Sequence, residues 1–358
     1  MSPVSEESRP VREEDAFDVD AVQEWLDRVA PGVGRIGDVR QFPGGASNLT
    51  YLLRLATSEG GERDLILRRP PTGTKAKGAH DMSREYRIQH ALGPVFPYVP
   101  RMIAYASEEG SPIGSELYVM ERIDGIIPRK DFPVEVTPEQ ASALCEAAIG
   151  VLVELHAVDV SSLPDLASMS KGEGYVARQV AGWTGRMANA RTDDTGDWSD
   201  ITDWLDAHQP ADVGQVMIHN DFRFDNLVLA PDLSAVLGVL DWELATVGDP
   251  LMDLGSTLAY WVEPGDDEFF LAFRRQPSTV PGMWTRQQLI DRYAELTGRA
   301  IRPEQWRFYE VMGLFRLAVI AQQIYYRYFH GQTTNEAYAM FGPAVGYLEQ
   351  RCRSLLAQ

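Results

Sequence analysis

The sequence predicts an α+β protein in two lobes: a small antiparallel sheet with one main helix, then a larger and mainly helical part. Three observations carry this. The chain has 358 residues, enough for two lobes with a sizeable buried core. Between residues 36 and 66, β-rich runs (IGDVRQF, LTYLLRLA, DLILRR) are separated by the turn sequences PGGASN and TSEGGERD. From Pro138 onward the pattern changes to long helical periodicity.

In chain order, residues 1–17 read as a flexible, polar tail, and AVQEWLDRVA follows as a short amphipathic helix. Gly32, Gly34 and Gly37 spell G-x-G-x-x-G, but they follow a helix and precede a strand. A dinucleotide fold needs the reverse order, so the glycines are read as a helix stop and turn. The three β runs form an antiparallel meander. A helix fits residues 79–92, after the polar loop PPTGTKAKG, and strands fit 101–106 and 116–122. The first lobe is thus expected over 18–123 and the second over 124–358. In the second, EQASALCEAAIGVLVELHAV, GYVARQVAGWTGRMANAR and the stretches 283–298, 303–330 and 334–357 read as helices. The exception is 216–242, where VMIHNDFRFDNLVLA and SAVLGVLDWE place polar residues inside apolar runs. Burying such groups costs free energy unless they are paired or used, which makes this segment the informative one.

Composition excludes several functions. Lys and Arg number 33 against 52 Asp and Glu, a net charge of −19, which opposes binding to nucleic-acid phosphates. The N-terminal residues lack an apolar targeting core, and no uninterrupted apolar run is long enough to cross a membrane; a soluble cytoplasmic protein is expected. Cys145 and Cys352 lie far apart in apolar helical patterns and read as buried thiols, with neither a disulfide framework nor a zinc site.

His219, Asp221 and Asn226 form H-x-D-x-x-x-x-N, and Asp241 follows fifteen residues after Asn226 at the end of the run AVLGVL. A loop offering an Asp and then an Asn, backed by a hairpin whose far end offers another Asp, can set a proton acceptor beside a metal site. Mg²⁺ takes hard oxygen ligands, often only one or two from protein, which Asn226 and Asp241 can supply. Asp221 then orients or deprotonates an attacking hydroxyl. In the first lobe Ile66 and Arg68 share a strand face, so one can touch a base and the other its phosphates. Glu85, in the following helix, can pair with Arg68. Gly44, Gly45 and Ser47 in PGGASN can lay main-chain N–H groups over phosphates. Met120, Glu121 and Ile123 lie at the end of the first lobe's last strand, where main-chain groups of Glu121 and Ile123 can meet an adenine edge.

With these motifs in view, HNDFRFDNLVL followed by VLDWELATVGDPLMDLG resembles the aminoglycoside phosphotransferase and choline kinase family, over roughly residues 30–345. The resemblance implies the two-lobed protein-kinase-like fold and ATP and Mg²⁺ as cofactors. It implies Asp221 as catalytic aspartate, Asn226 and Asp241 as metal ligands, Glu85 as the helix glutamate, Glu121 and Ile123 as the hinge, and His219 as a brace of the loop. Two departures stand out. LILRR has no lysine, so Arg68, or else Arg69, takes the lysine's part, and Arg is a wider, bidentate donor. The nucleotide loop has only a GG pair.

Within the family, LILRRPPTGTKAKGAHDMSREYRIQHAL and YVMERIDG are most similar to the kinase-like domain that some eukaryotic proteins carry fused to an acyl-CoA dehydrogenase. That similarity implies a small-molecule acceptor, a hydroxyl on a hydroxyacyl-CoA or hydroxy acid, with a 4-hydroxyacyl chain favoured. It also implies a separate acyl-CoA dehydrogenase in the same pathway. An aminoglycoside or another polyhydroxylated cation is the alternative acceptor, and a non-catalytic nucleotide-binding module is the alternative class. Arg68, Arg69, Lys75, Lys77, Arg84 and Arg87 form a local basic excess that can meet ATP or CoA phosphates. Arg178, Arg186 and Arg191 can likewise face an anionic acceptor. For Asp249, Asp253 and His156 structural roles as caps, braces or core residues are expected, and Glu243 is a candidate neighbour of the metal site.

Overall fold

The computed structural model describes residues 8–43, 48–71 and 81–357. The chain forms two compact units, one of Met1–Ile127 with Asn226–Leu244, the other of Pro128–Asp225 with Ala245–Gln358.

The first unit is built on a sheet. Its strands are β1 (Arg9–Pro10), β2 (Arg35–Gln41), β3 (Leu49–Ala56), β4 (Glu62–Arg69), β5 (Met102–Ala106) and β6 (Leu117–Glu121). Among the described residues they are ordered β1-β2-β3-β4-β6-β5, each neighbouring pair antiparallel. Two helices cover the sheet. Helix α1 (Val19–Val29) is capped by Asp18, whose carboxylate accepts the Ala21 N–H at 3.0 Å. It stops before Gly32 and Gly34, both at positive φ (81° and 115°), and the chain turns into β2. A side chain at Gly34 would also come within 2.9 Å of the Ala56 carbonyl, so glycine is required there twice over.

The period of two in β3, β4 and β6 divides the side chains between the faces. Tyr51, Leu53, Leu55, Leu65, Leu67 and Val119 pack with Val22, Trp25 and Leu26 of α1. Leu52, Ile66, Tyr118 and Met120 pack with Met82 at the start of α2 (Met82–Leu92).

The flexible tail expected over 1–17 is not what its described part, residues 8–17, forms. β1 pairs with β2, Asp15 is buried, and its carboxylate accepts from Gln41 Nε2 at 2.8 Å. Its carbonyl accepts from Tyr51 Oη and Arg69 Nη2, both at 2.8 Å. A charged run reads as solvated locally; what holds this one is polar groups 26 to 54 residues away.

The second unit is mainly helical: α3 (Pro138–His156), α4 (Pro164–Ala167), α5 (Tyr175–Asn189), α6 (Ser199–Ala207), α7 (Pro250–Ala259), α8 (Glu268–Ala272), α9 (Arg286–Thr297), α10 (Pro303–Phe329) and α11 (Phe341–Leu356). Every residue of α7 is buried, which makes it the core helix of the unit. It meets α10 backbone to backbone, since a Cβ at Gly313 would lie 2.3 Å from the Gly255 carbonyl. The single helix expected over 334–357 instead begins at Phe341, after a 3-10 turn at Glu336–Met340. Pro343 is the reason: it is tolerated in a first turn and not in a helix interior.

Strand β7 (Val216–Ile218) pairs antiparallel with β10 (Thr246–Gly248) in the second unit. Between them in sequence, β8 (Leu227–Leu229) and β9 (Val236–Val239) form a hairpin that belongs to the first unit. Ile126 and Leu229 exchange main-chain hydrogen bonds at 2.8 and 2.7 Å, and Val239 donates to the Tyr98 carbonyl at 2.7 Å. The indole of Trp242 is fully buried, edge-on to Phe96 at 6.0 Å. The boundary expected at 123/124 therefore assigned the hairpin by chain order, whereas its hydrogen bonds tie it to the segment that ends at Ile127.

Candidate active site

In the first unit the centre is Arg68. Its Nη1 lies 3.1 Å from Glu85 Oε2 and its Nη2 3.3 Å from Asp241 Oδ1. Glu85 is held in turn by Tyr118 Oη at 2.7 Å and Asn48 Nδ2 at 2.8 Å. Burial alone works against the Arg68 charge, but Tyr118, Glu85, Asp241 and Glu243 outweigh it and hold its pKa above the ordinary value. Burial pushes the Glu85 carboxyl up, while Arg68 and the Tyr118 and Asn48 donors pull it back. Period two puts Arg69 on the opposite face, where Nε donates to Tyr51 Oη at 3.1 Å. Of the two arginines, Arg68 is thus the one beside Glu85 and Asp241.

Asn226 and Asp241 leave the same end of the hairpin, because the Leu240 N–H donates to the Asn226 carbonyl at 2.8 Å. Asp241 has φ 66°, a left-handed conformation that Asp and Asn adopt more readily than most residues. Near it, Arg84 Nη1 donates to the Glu243 carbonyl at 2.6 Å and ties α2 to the segment after β9.

Ile66 and Met120 are register partners on the α2 side of the sheet. The carboxylate of Glu121 pairs with Arg63 and with Arg101, the latter at 2.7 Å, and its N–H donates to the Arg101 carbonyl at 2.9 Å. Ile123 packs where a side chain at Gly238 would be, 2.3 Å from its Cδ1. Gly44, Gly45 and Ser47, with Lys75 and Lys77, lie outside the described residues.

In the second unit the loop after β7 carries Asp221. Asp253 of α7 organises it: Oδ2 accepts the His219 N–H at 2.7 Å and Oδ1 the Asn220 N–H at 2.6 Å. His156 joins from α3, with Nε2 at 3.1 Å from Asp253 and Nδ1 at 2.7 Å from Tyr293 Oη. Burial raises the Asp253 carboxyl, yet the His156 bond and charge, with the His219 N–H, leave it below the usual carboxylate value. His219 is fully buried, and its Nδ1 accepts the Asp221 N–H at 3.2 Å, which puts the ring proton on Nε2. Asn220, just before Asp221, has φ 65°. Asp249 caps α7, accepting from Leu251 and Met252 at 2.8 and 3.1 Å.

The arginine at 223 is a residue the sequence reading passed over. Its Nε lies 3.1 Å from Asp221 Oδ1 and its Nη2 3.1 Å from Asp221 Oδ2. Nη2 also lies 3.4 Å from Asp225 Oδ2, and the guanidinium carbon stands 4.5 Å from the centre of the Tyr260 ring. Burial pushes the Asp225 carboxyl up despite this arginine. The signal was present in D-x-R-x-D, whose spacing of two let one cation meet both acids.

Each unit carries its own group of polar residues. The first has a buried, fixed cation beside an acid and an amide at one hairpin end; the second has an aspartate on a loop braced from below. A kinase-like fold bearing these groups defines a phosphotransferase. The chain belongs to the phosphotransferase enzyme family, which it matches over residues 38–294.

It is 36% identical over 332 residues to mouse acyl-CoA dehydrogenase family member 10, which covers 92% of this chain and 30% of that protein. It is 32% identical over 346 residues to human acyl-CoA dehydrogenase family member 11, covering 92% of this chain and 42% of that protein. The chain therefore spans well under half the length of these relatives. Among solved structures, a Ralstonia eutropha protein assigned to the aminoglycoside phosphotransferases aligns with TM-score 0.78 and 28% identity, over 95% of this chain and 98% of that one. Choline kinase from Cryptosporidium parvum aligns with TM-score 0.64 at 12% identity, over 95% and 96%, a likeness of fold. Among the described residues no helix is long and apolar enough to cross a membrane.

Proposed function

We propose that this chain is an ATP- and Mg²⁺-dependent O-phosphotransferase whose acceptor is the hydroxyl of a hydroxyacyl-CoA or hydroxy acid, with a 4-hydroxyacyl chain favoured. The observation that carries the reaction class is Arg68 fixed by Glu85 on one side and Asp241 on the other. A guanidinium so held is pre-set to receive phosphate oxygens, and preorganised charge is the main resource of phosphoryl transfer. Asp221 receives or orients the acceptor's proton, with Arg223 fixing both its oxygens. In this reading Gly44, Gly45 and Ser47 are assigned to the phosphates from the sequence alone, and Ile66, Met120, Glu121 and Ile123 to the base.

The residues suit a hard divalent cation. One oxygen of Asp241 is taken by Arg68, and the carboxylate is 38% exposed, leaving a second oxygen for another ligand. Among the described residues no three His, Cys, Asp or Glu side chains cluster for a metal, and Mg²⁺ needs only one or two protein oxygens, here Asn226 and Asp241. When bound it would neutralise phosphate charge; the chain's own part is to hold those two oxygens at one hairpin end.

The acceptor class rests on the curated relatives, which are named for acyl-CoA dehydrogenases, and an acyl-CoA dehydrogenase acting on the same metabolite pool is the proposed pathway partner. The likeness to the Ralstonia protein favours a second reading, an aminoglycoside acceptor. The test is ADP release from ATP and Mg²⁺ with 4- and 3-hydroxyacyl-CoA, the free hydroxy acids and an aminoglycoside, beside an Asp221→Asn control. Asp221-dependent turnover with a hydroxyacyl compound supports the proposal. Turnover with the aminoglycoside alone replaces it, and ATP binding without any turnover points to a non-catalytic module.

A further inference from the structure

Arg316 of α10 is 6% exposed, yet no carboxylate lies within ion-pair distance of it among the described residues. Its one hydrogen bond runs from Nη2 to the Asn220 carbonyl at 2.8 Å, the residue directly before Asp221. A buried charge left with a single neutral acceptor is costly, and such groups are normally paired. The neighbours do not pair it. Asp253 is spent on the His219 and Asn220 N–H groups and on His156. Asp221 meets Arg223 through both its oxygens and Asp225 meets it through Oδ2, and neither lies within ion-pair distance of Arg316. Tyr175 and Tyr260 feel the Arg316 charge as hydroxyls.

One side of Arg316 rests on Trp183 of α5, its guanidinium carbon 5.4 Å from the ring centre. The same indole carries Arg186 at 4.5 Å. Arg186 is exposed, Trp183 half-buried and Arg316 buried, so the three grade from solvent toward the loop that presents Asp221. Two cations on one indole, the inner one without a counter-charge, make a place for oxygen atoms bearing negative charge or a strong dipole. It is the wrong place for an ammonium.

We infer that Arg316 receives the acyl oxygen of the acceptor, as carboxylate or thioester carbonyl, and that Trp183 and Arg186 line the approach. This rests on the O-phosphotransferase reading above and narrows it, since it excludes cationic acceptors by charge.

Calorimetric titration of the full chain with 4-hydroxybutanoate and with 4-hydroxybutanoyl-CoA tests it, each on wild type, Arg316→Gln, Arg316→Lys and Arg186→Ala, with ATP titrated in parallel. A lost charge-assisted hydrogen bond predicts at least about tenfold weaker acceptor binding in Arg316→Gln. Partial recovery is expected in Arg316→Lys, with ATP affinity held. Loss confined to the free acid identifies the carboxylate as the partner, and loss with both identifies the carbonyl oxygen. Equal acceptor affinity in wild type and Arg316→Gln overturns the inference. So does a parallel loss of ATP and acceptor binding, which would make Arg316 a brace of the loop. Binding of neither acyl probe by wild type overturns it too. If wild type binds and phosphorylates an aminoglycoside instead, the functional reading itself has failed; if it phosphorylates the acyl compounds and Arg316→Gln does so equally, only the role of Arg316 has.

Discussion

Asp221→Ala removes the proposed proton acceptor and leaves Arg223 facing Asp225 alone, and turnover is expected to fall by at least about 10²-fold. Steady-state ADP release checks this, with near-normal turnover counting against the role. Arg68→Ala strips the cation from a buried carboxylate, since the side chains of Arg68 and Glu85 are 12% and 2% exposed. Breaking such a pair costs about 3 kcal/mol or more, and adding Glu85→Gln should recover part of the loss. Urea midpoints of the single and double variants decide it. Asp253 gives a pH-dependent case. Its carboxyl is held below its ordinary value, so its stabilisation is present above about pH 4 and is lost as pH falls through and below that value. The difference in melting temperature between wild type and Asp253→Asn should therefore be large at neutral pH and shrink in acid. A gap that stays constant with pH would show that the charge is not what stabilises the loop.

At the scale of elements, the hairpin and the segment that follows β6 meet through glycines. A Cβ at Gly125 would lie 2.4 Å from the Leu229 carbonyl and 2.7 Å from Val228 Cγ1. Neither the backbone nor the packed valine yields cheaply, so Gly125→Ala should cost about 1–3 kcal/mol and weaken ATP binding through displacement of the hairpin that bears Asp241. Thermal unfolding and nucleotide titration of the one variant measure both. Gly238→Ala is expected to be milder, because it meets only the flexible end of Ile123.

These contacts also show what was legible beforehand. His219, Asp221, Asn226 and Asp241 stood out as candidates because they form a spaced pattern along one short stretch. Ile66 and Arg68 could be placed on one face because strands have a period of two. Which of Arg68 and Arg69 faced the glutamate could not be read, since it depends on which helix covers which face. Arg223 was overlooked because its partners are two residues away on either side of a loop with no regular period. The allegiance of the hairpin was hidden because it is decided by Tyr98 and Ile126, some hundred residues earlier in the chain.

For the whole molecule, the net charge of −19 makes self-repulsion a general term. Many surface arginines are in ion pairs, Arg353 with Asp200 and Arg292 with Glu295 among them, but exposed pairs contribute little. Screening should therefore relieve more repulsion than it removes attraction. Raising salt from about 0.01 M to about 0.1 M shortens the Debye length from about 30 Å to about 10 Å, and the melting temperature is expected to rise. A fall would mean that the ion-pair networks outweigh the surplus.

The hairpin has a bearing on how the protein is made. A ribosome delivers Met1–Ile127 first, but the unit those residues belong to also needs Asn226–Leu244. At about 5–20 residues per second the wait between the two is several seconds to tens of seconds. During that interval the main-chain groups of Ile126 and Tyr98 lack the Leu229 and Val239 partners they have in the finished fold. The nascent unit must pass this time without its hairpin while most of another unit's first half emerges. A gene fragment cut after Ile127 would encode the same unfinished state permanently.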